Sequence, residues 1–199
     1  MPMGPFRLND LVGSDIGLHV GKNFLDSFPE RVYISTLIPA LNAAKRLGEK
    51  TGSGFYQYDA KRKASMDPSL APLLKEAQAS AGLVKDPRAP FKLTPQEIIE
   101  FIFFPVVNEG CRVISEGIVE KPADLDIATV MSMGFPATKG GLIFWADTVG
   151  AAYIVKRLDQ MAQQVGPKVS GFFKPCEYLS QAASSGKKLS QGISPPSKM

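Results

Sequence analysis

Apolar residues recur at every third or fourth position along much of this 199-residue chain, which is the spacing of amphipathic helices. In the first 82 residues this spacing predicts four helices, which end in turn near Gly13, Pro29, Gly48 and Gly82. Between the third and the fourth, the segment GFYQY at 54–58 is entered through glycines. It suits a strand or a packed loop better than a helix.

The clearest helix start in the chain is Thr94-Pro95-Gln96-Glu97, a capping box in which the Thr hydroxyl and the Glu carboxylate each bind a free backbone amide. The helix that follows is apolar on nearly every side as far as Ile114, so we expect it at the centre of a second domain. Further helices are predicted at 122–131, 142–149 and 151–164. No alternating strand pattern occurs in this half, and the sequence therefore predicts an all-α fold.

A linker between the two halves is predicted at 83–93, where Pro87 and Pro90 stand among mixed charges. From residue 184 onward the chain is rich in Ser, Gly, Lys and Pro, with too few apolar residues to form a core. We therefore predict a first module at 1–66, a helix and linker at 67–93, a second module at 94–183 and a flexible tail at 184–199.

Three short motifs occur in the same order in both halves, which indicates an internal repeat. The first half has MG at 3–4, DLVG at 10–13 and GFY at 54–56, and the second has MG at 133–134, DTVG at 147–150 and GFF at 171–173. The second copies lie 130, 137 and 117 residues after the first, so the halves differ by insertions. A long helix precedes the second copy but only two residues precede Met3, so we expect the first module to lack its opening helix.

Composition excludes some classes of function. Hydrophobic residues make up 44% of the chain, but no apolar run reaches the roughly 18 residues of a membrane span. A net charge of +4 suits an anionic small molecule and is too small for specific nucleic-acid binding, and we expect Lys61-Arg62-Lys63 to be a solvated loop. Cys111 and Cys176 have no second pair with which to form a metal site or a disulfide framework, so we predict that both are reduced packing residues.

A resemblance to the C-terminal domain of 3-hydroxyacyl-CoA dehydrogenases lies in three segments: PMGPF at 2–6, DLVG at 10–13 and KTGSGFY at 50–56. The second half resembles the repeated C-terminal module of multifunctional β-oxidation proteins, with FFPVVNE at 103–109, ADLD at 123–126 and MGFP at 133–136. This resemblance covers nearly the whole chain. It implies two related helical modules, similar to the C-terminal domain of 6-phosphogluconate dehydrogenase, the first without its opening helix.

The resemblance implies NAD-dependent oxidation of a 3-hydroxyacyl-CoA, with NAD and a His–Glu pair bound in a Rossmann half that has no counterpart in this sequence. The segment Gly52-Ser53-Gly54 opens no long helix and is not expected to hold a dinucleotide. His19, the one histidine, does not match the catalytic motif, and Glu100 and Phe101 stand where the family's Asn-Arg pair would be in the second module. We therefore assign no catalytic residue, no metal site and no cofactor to this chain alone.

Family structures imply that this domain forms a wall of the acyl-CoA site and supplies a helical interface. Pro5, Phe6 and Leu8 are the candidates for the acyl-facing wall, and the alternative is that they only pack the core of the first module. A second apolar group has the same two interpretations, an adaptable apolar surface or a core cluster. It consists of Met131, Met133 and Phe135.

The last three residues, Ser197-Lys198-Met199, resemble the peroxisomal targeting tripeptide Ser-Lys-Leu, which an import receptor binds. Together with the β-oxidation resemblance, they predict a peroxisomal protein.

Three functions remain open from the sequence. The first is the C-terminal part of a multifunctional protein in fatty acid β-oxidation, which takes part in acyl-CoA binding together with the missing half. The second is a non-catalytic helical module that docks to a full-length dehydrogenase or self-associates. The third, an anion-binding or nucleic-acid-binding domain, rests only on a pI near 9.0 and ranks last.

Overall fold

The computed structural model describes residues 3–81, 93–165 and 167–192. The helices and strands of these ranges are α1 Pro5–Val12, α2 Ser14–Ser27, α3 Leu37–Ala43, β1 Tyr56–Tyr58, β2 Ala64–Met66, α4 Leu70–Ala81, α5 Pro95–Ser115, α6 Pro122–Met133, α7 Leu142–Val149, α8 Ala151–Gln164, α9 Pro167–Ser170 and α10 Glu177–Ser185. Short 3₁₀ helices lie at Glu49–Thr51, Ala137–Lys139, Gly171–Phe173 and Leu189–Gln191. The predicted all-α fold is confirmed, with one two-stranded hairpin within the described residues.

The chain divides into two compact units. Of the described residues, the first unit comprises 3–81 and 167–172, and the second comprises 93–165 and 173–192. The predicted linker at 83–93 lies almost wholly outside the described residues.

The first unit contains α1 to α4 and the hairpin. Strand β1 pairs with β2 in antiparallel register, with Tyr56 opposite Met66 and Tyr58 opposite Ala64. The aromatic segment is therefore a strand, as one of the two alternatives predicted, whereas β2 was not predicted. The turn between the strands contains the basic run: the Asp59 carboxylate accepts hydrogen bonds from the amides of Lys61 and Lys63, and the basic side chains are exposed.

The internal repeat is visible in the backbone. Helix α1 has 8 residues and is followed by Gly13 and the 14-residue α2; helix α7 has 8 residues and is followed by Gly150 and the 14-residue α8. Both glycines adopt a conformation that L side chains rarely take, with φ of 106° at Gly13 and 97° at Gly150. Two related helical modules are thus confirmed.

The third pair of repeat motifs, GFY at 54–56 and GFF at 171–173, does not occupy equivalent positions in the two units. In the first unit the carboxylate of Asp10 binds the amides of Phe55 and Tyr56, but the corresponding Asp147 binds the amides at 189–190. The counterpart of the aromatic segment is therefore found at Leu189 and not in GFF at 171–173.

The C-terminal region is also more ordered than the sequence suggests. Helix α10 continues to Ser185, and Leu189 is fully buried, so the segment 184–192 belongs to the folded second unit. The predicted flexible tail thus differs from the structure over these residues, because a single buried leucine and main-chain hydrogen bonds hold them.

The second unit has the larger core. Helix α5 begins at the predicted capping box, and its buried face meets α7, α8 and α10. The buried apolar side chains of this unit include Phe104, Val107, Leu142, Ile143, Ile154, Leu158, Met161, Phe173, Leu179 and Leu189. The buried apolar side chains of the first unit are Leu41, Tyr58, Leu70 and Ala77. None of the helices described is both long and apolar enough to cross a bilayer.

Candidate functional site

The candidate acyl-facing residues lie together on the first turn of α1. Pro5 occupies the first helical position, and the side chains of Phe6 and Leu8 are 54% and 42% exposed. Phe6 stacks on Phe55, the residue that precedes β1, with ring centroids 4.6 Å apart. These residues therefore form an apolar surface of the first unit and are not part of its core, while their role toward a substrate stays a prediction.

Further large apolar side chains are exposed along α1, α2 and the segment after α2. The whole set, here called the apolar surface of the first unit, consists of Phe6, Leu8, Leu11, Val12, Ile16, Leu18, Val20, Phe24, Phe28, Tyr33 and Ile34. The side chains of Ile16, Val20 and Phe24 recur every fourth residue, so they lie along one side of α2. Soluble monomers rarely expose so many large apolar side chains within 29 residues.

Asp10 closes the hairpin onto α1. Its Oδ1 accepts a hydrogen bond from the Phe55 amide at 2.8 Å, and its Oδ2 accepts from the Tyr56 amide at 2.9 Å and from the Tyr58 hydroxyl at 2.7 Å. The carboxylate is almost fully buried, so these three donors replace the water that it gives up on folding. Burial and the bond to Asp10 raise the pKa of Tyr58, which keeps its hydroxyl protonated as a donor.

Charged pairs hold the 3₁₀ helix at Glu49–Thr51 against α1 and α2. The Arg7 guanidinium binds the Glu49 carboxylate and lies over the Tyr58 ring, 4.9 Å from its centroid. The Lys50 ammonium binds the Asp15 carboxylate, with 2.6 Å between Nζ and Oδ2. These contacts hold the 3₁₀ helix, centred five residues before Phe55, beside α1 and α2.

The glycine segment beside Asp10 does not fit a dinucleotide. A Cβ placed on Gly54 would lie 2.1 Å from Asp10 Oδ1, so the space in front of this glycine already holds a carboxylate. The amides of Phe55 and Tyr56, which would have to face a pyrophosphate, are bound to that carboxylate. The residues present in Gly52-Ser53-Gly54 therefore do not provide a phosphate site, and the described sheet is an antiparallel hairpin.

In the second unit, Glu100 lies in a buried ionic network. Its carboxylate accepts from Arg157 Nε at 2.6 Å, from the Tyr153 hydroxyl at 2.9 Å and from Gln96 Nε2 at 3.2 Å. Burial opposes ionisation of Glu100, but these hydrogen bonds outweigh it and the pKa is lowered. The sequence identified Glu100 as a departure from the family motif. It did not identify Arg157 and Tyr153, which lie more than fifty residues away.

Two further carboxylates make hydrogen bonds at the two ends of α7. Asp126 accepts from the amides of Ile143 and Phe144, and a Cβ on Gly141 would lie 2.3 Å from the Asp126 Cβ. Asp147 accepts from the amides of Leu189 at 2.7 Å and Ser190 at 3.1 Å. Asp147 is thus the counterpart of Asp10, since each is the sixth residue of its 8-residue helix.

The remaining candidates from the sequence are dispersed. His19 is exposed on α2, and none of the described carboxylates hydrogen-bonds to its ring. Phe135 is buried in the second unit, Met133 is half-buried and Met131 is 80% exposed, so these three do not act as one cluster. Within the described ranges, no group of three or more His, Cys, Asp or Glu could hold a metal ion.

Comparison with known proteins gives consistent matches. The family model of the 3-hydroxyacyl-CoA dehydrogenase C-terminal domain matches residues 1–58 and 98–193. The glyoxysomal fatty acid beta-oxidation multifunctional protein of Cucumis sativus is 52% identical over 96% of this chain and 26% of its own length. A peroxisomal multifunctional protein of Arabidopsis thaliana is 48% identical over 97% of this chain, again covering 26% of the relative.

Solved structures match over most of the chain. The dehydrogenase part of multifunctional enzyme 1 from C. elegans has a TM-score of 0.61 and 25% identity, and the match covers 90% of this chain and 38% of that one. The 3-hydroxybutyryl-CoA dehydrogenase of Escherichia coli has a TM-score of 0.66 at 20% identity and covers 93% of this chain and 52% of that one, which indicates a shared fold. Since the family model matches both halves, the chain belongs to the 3-hydroxyacyl-CoA dehydrogenase C-terminal domain family.

Proposed function

We propose that this chain is the C-terminal part of a peroxisomal multifunctional protein of fatty acid β-oxidation. In the complete protein it would supply the apolar wall of the acyl-CoA pocket and the helical interface of an NAD-dependent 3-hydroxyacyl-CoA dehydrogenase. Membership of the family and the names of the plant relatives support this function. The chain spans about a quarter of the length of those relatives, 26% in the cucumber protein.

The observation that carries the proposal is the apolar surface of the first unit. An acyl chain is bound mainly by removal of its methylene groups from water, and exposed residues such as Phe6 and Leu8 provide the matching apolar area. The Asp10 contacts support the same role, because they fix the ring of Phe55 on which Phe6 stacks.

We assign binding and positioning to this chain, and hydride transfer to a part of the complete protein that binds NAD. Phe6 and Leu8 would contact the acyl group and exclude water from it, whereas Asp10 would act only through the hairpin that it holds. The protons of the reaction would be moved by groups outside this chain, since the carboxylates described above are engaged by backbone amides or by basic side chains.

To test whether hydride transfer requires another part of the complete protein, the purified chain is incubated with acetoacetyl-CoA and NADH. We expect no oxidation of NADH above the rate without protein, measured as absorbance at the nicotinamide band. Robust turnover by this chain alone would contradict the assignment.

The role of Phe6 is tested in a chimera, in which this chain replaces the matching segment of the cucumber protein. We expect Phe6→Ala to raise KM for a medium-chain 3-hydroxyacyl-CoA about tenfold with little change in kcat, since roughly 1.5 kcal/mol of apolar burial is lost equally from the ground and transition states. Ile118→Ala is the matched control, because Ile118 is an exposed apolar residue of the second unit. Equal KM values for both variants would exclude Phe6 from the acyl wall.

A second candidate function rests on the same surface. The apolar surface of the first unit would also suit a non-catalytic module that docks to a full-length dehydrogenase or to a second copy of itself. Light scattering after size-exclusion chromatography measures whether the chain associates with itself or with the complete cucumber enzyme. Phe24→Asp should abolish this association. A monomer that does not change on mixing with the complete cucumber enzyme would contradict docking.

Peroxisomal targeting is proposed for Ser197-Lys198-Met199, which lies outside the described residues. A fluorescent protein fused to the amino end of this chain should collect in peroxisomes of plant cells, as the names of the plant relatives suggest. Lys198→Ala should leave it in the cytosol, and unchanged punctate fluorescence would show that the tripeptide is not the signal.

A further inference from the structure

The two cysteines of the chain lie against each other in the second unit. Cys111 is on α5 and is fully buried, whereas Cys176 immediately precedes α10 and is half-buried. Each thiol has the largest effect on the pKa of the other, and neither cysteine is in a disulfide. The two residues are 65 positions apart in the sequence, so the fold alone brings them together.

The backbone around Cys176 is fixed to the same part of α5. Asn108, one turn before Cys111, is fully buried, accepts a hydrogen bond from the Cys176 amide at 2.7 Å and donates one to the Lys174 carbonyl at 2.9 Å. Arg112 donates to the same carbonyl at 3.3 Å. These bonds hold the main chain on both sides of Pro175 against Asn108 and Arg112, the residues of α5 that flank Cys111 in its helical turn.

The surroundings make the two thiols unequal. The hydrogen bond from the Cys111 thiol lowers the pKa of Cys176 to about 7 in spite of burial, aided by the first-turn amides of α10 and the Arg112 guanidinium. The same hydrogen bond, together with burial and the nearby Asp147 carboxylate, raises the pKa of Cys111. Cys176 is therefore the more reactive thiolate and also the more accessible of the two, whereas Cys111 retains its proton.

We propose that this pair is an oxidation site, at which hydrogen peroxide converts Cys111 and Cys176 into an intramolecular disulfide between α5 and the segment before α10. The Cys176 thiolate attacks one peroxide oxygen, the O–O bond breaks, and the departing hydroxide takes a proton to leave as water. Cys111 sulfur then attacks the sulfenic sulfur of Cys176, gives up its thiol proton and releases a second water. Two thiols lose two electrons in total, and one peroxide molecule is reduced to two waters.

This proposal is independent of the function proposed above, since it rests only on the second unit. It extends the prediction of reduced packing residues, because the reduced pair is the resting state and a thiol reductant restores it. The disulfide would close a 65-residue loop, so the oxidised chain should unfold at a higher temperature than the reduced chain.

The test treats the reduced chain with hydrogen peroxide, alkylates it in denaturant and maps its peptides without reduction. We expect joint loss of both alkylatable thiols, a cross-linked peptide containing Cys111 and Cys176, and recovery of both thiols with dithiothreitol. Two free thiols after treatment, disulfides only between separate chains, or oxidised Cys176 beside free Cys111 would each overturn the proposal.

Two variants assign the roles within the pair. In Cys111→Ser the reaction should stop at the sulfenic acid of Cys176, which dimedone traps, while in Cys176→Ser the buried Cys111 should remain fully alkylatable after peroxide. Oxidation of Cys111 in the second variant at the wild-type rate would overturn the assignment of Cys176 as nucleophile. Circular dichroism checks that each variant is folded, and the wild-type peptide map remains decisive if one is not.

Discussion

The carboxylate of Asp10 occupies the space that a side chain at Gly54 would need, with only 2.1 Å between Asp10 Oδ1 and an ideal Cβ at that glycine. This contact explains why a glycine stands before the aromatic strand: the backbone must come close enough for the next two amides to reach the carboxylate. The contact between α1 and the segment before β1 therefore requires both the glycine at position 54 and the carboxylate of Asp10.

Gly54→Ala should destabilise the first unit by about 2 kcal/mol, because the methyl group displaces a buried carboxylate from its donors. The measurement is the free energy of unfolding in urea. Gly21→Ala is the control, since nothing lies within 4 Å of the position that its methyl group would take, and a helical alanine should stabilise α2 by roughly 0.5–1 kcal/mol. Equal free energies of unfolding for Gly54→Ala and the wild type would contradict this account of the closure.

Asp10→Asn and Asp147→Asn should each release only their own pair of backbone amides. An amide side chain has one acceptor oxygen and directs its NH₂ at the second backbone donor, which costs about 1–3 kcal/mol at the buried Asp10 and less at the half-buried Asp147. Hydrogen exchange is the measurement: Asp10→Asn should speed exchange at Phe55 and Tyr56, and Asp147→Asn at Leu189 and Ser190. Faster exchange at all four amides in both variants would show that the two closures are not independent.

Glu100→Ala should destabilise the second unit by about 3 kcal/mol, because Arg157 would keep its charge at a largely buried site without its main partner. Asp159→Asn, on the exposed part of α8, should change the free energy of unfolding by no more than about 0.5 kcal/mol. Chemical denaturation of both variants checks this difference. A loss for Glu100→Ala as small as that for Asp159→Asn would mean that the network adds little to stability.

The ion pair between Asp67 and Arg46 predicts a pH dependence. Hydrogen bonds from Ser69 and from Arg46 lower the pKa of Asp67 from 3.8 to about 2. Because the folded-state pKa is the lower one, the stabilisation is complete above pH of about 4 and is lost as pH falls toward 2. An NMR titration of the Asp67 carboxyl checks the value, and Ser69→Ala, which removes the hydroxyl donor, should raise it. An ordinary Asp67 pKa in the wild type would contradict the contribution of these hydrogen bonds.

The sequence predicts the helices correctly where residues next to the helix ends, such as glycines and capping residues, determine where each helix begins and ends. The bounds of α7 and α8 were predicted at the observed residues, because glycines at 141 and 150 precede them and the apolar spacing within them is regular. Helix α5 was found from its capping box for the same reason. Signals of this kind depend on residues within one or two turns of each other.

Features that depend on distant residues were not found. Helix α10 was not predicted, because its apolar residues Tyr178, Leu179 and Ala182 are few and the flexible tail was predicted to begin at residue 184, inside the last turn of this helix. Its signals were Glu177 in the first turn and Gly186 at the end, which has a φ of 68°. The amide of the buried Leu189 donates to Asp147, which lies 42 residues earlier. The extent of the apolar surface along α2 required the structure, because the spacing of apolar residues does not tell which of them a neighbouring element covers.

The closure by Asp147 uses only main-chain donors, and every residue except proline carries such a donor. The amides of Leu189 and Ser190 therefore make the same contact in the second unit that the amides of Phe55 and Tyr56 make in the first, although the side chains differ in size and shape. The two copies of a duplicated domain can therefore diverge in nearly all of their side chains and keep the same contact between the short helix and the later segment. Only the acidic residue on the short helix has to be retained.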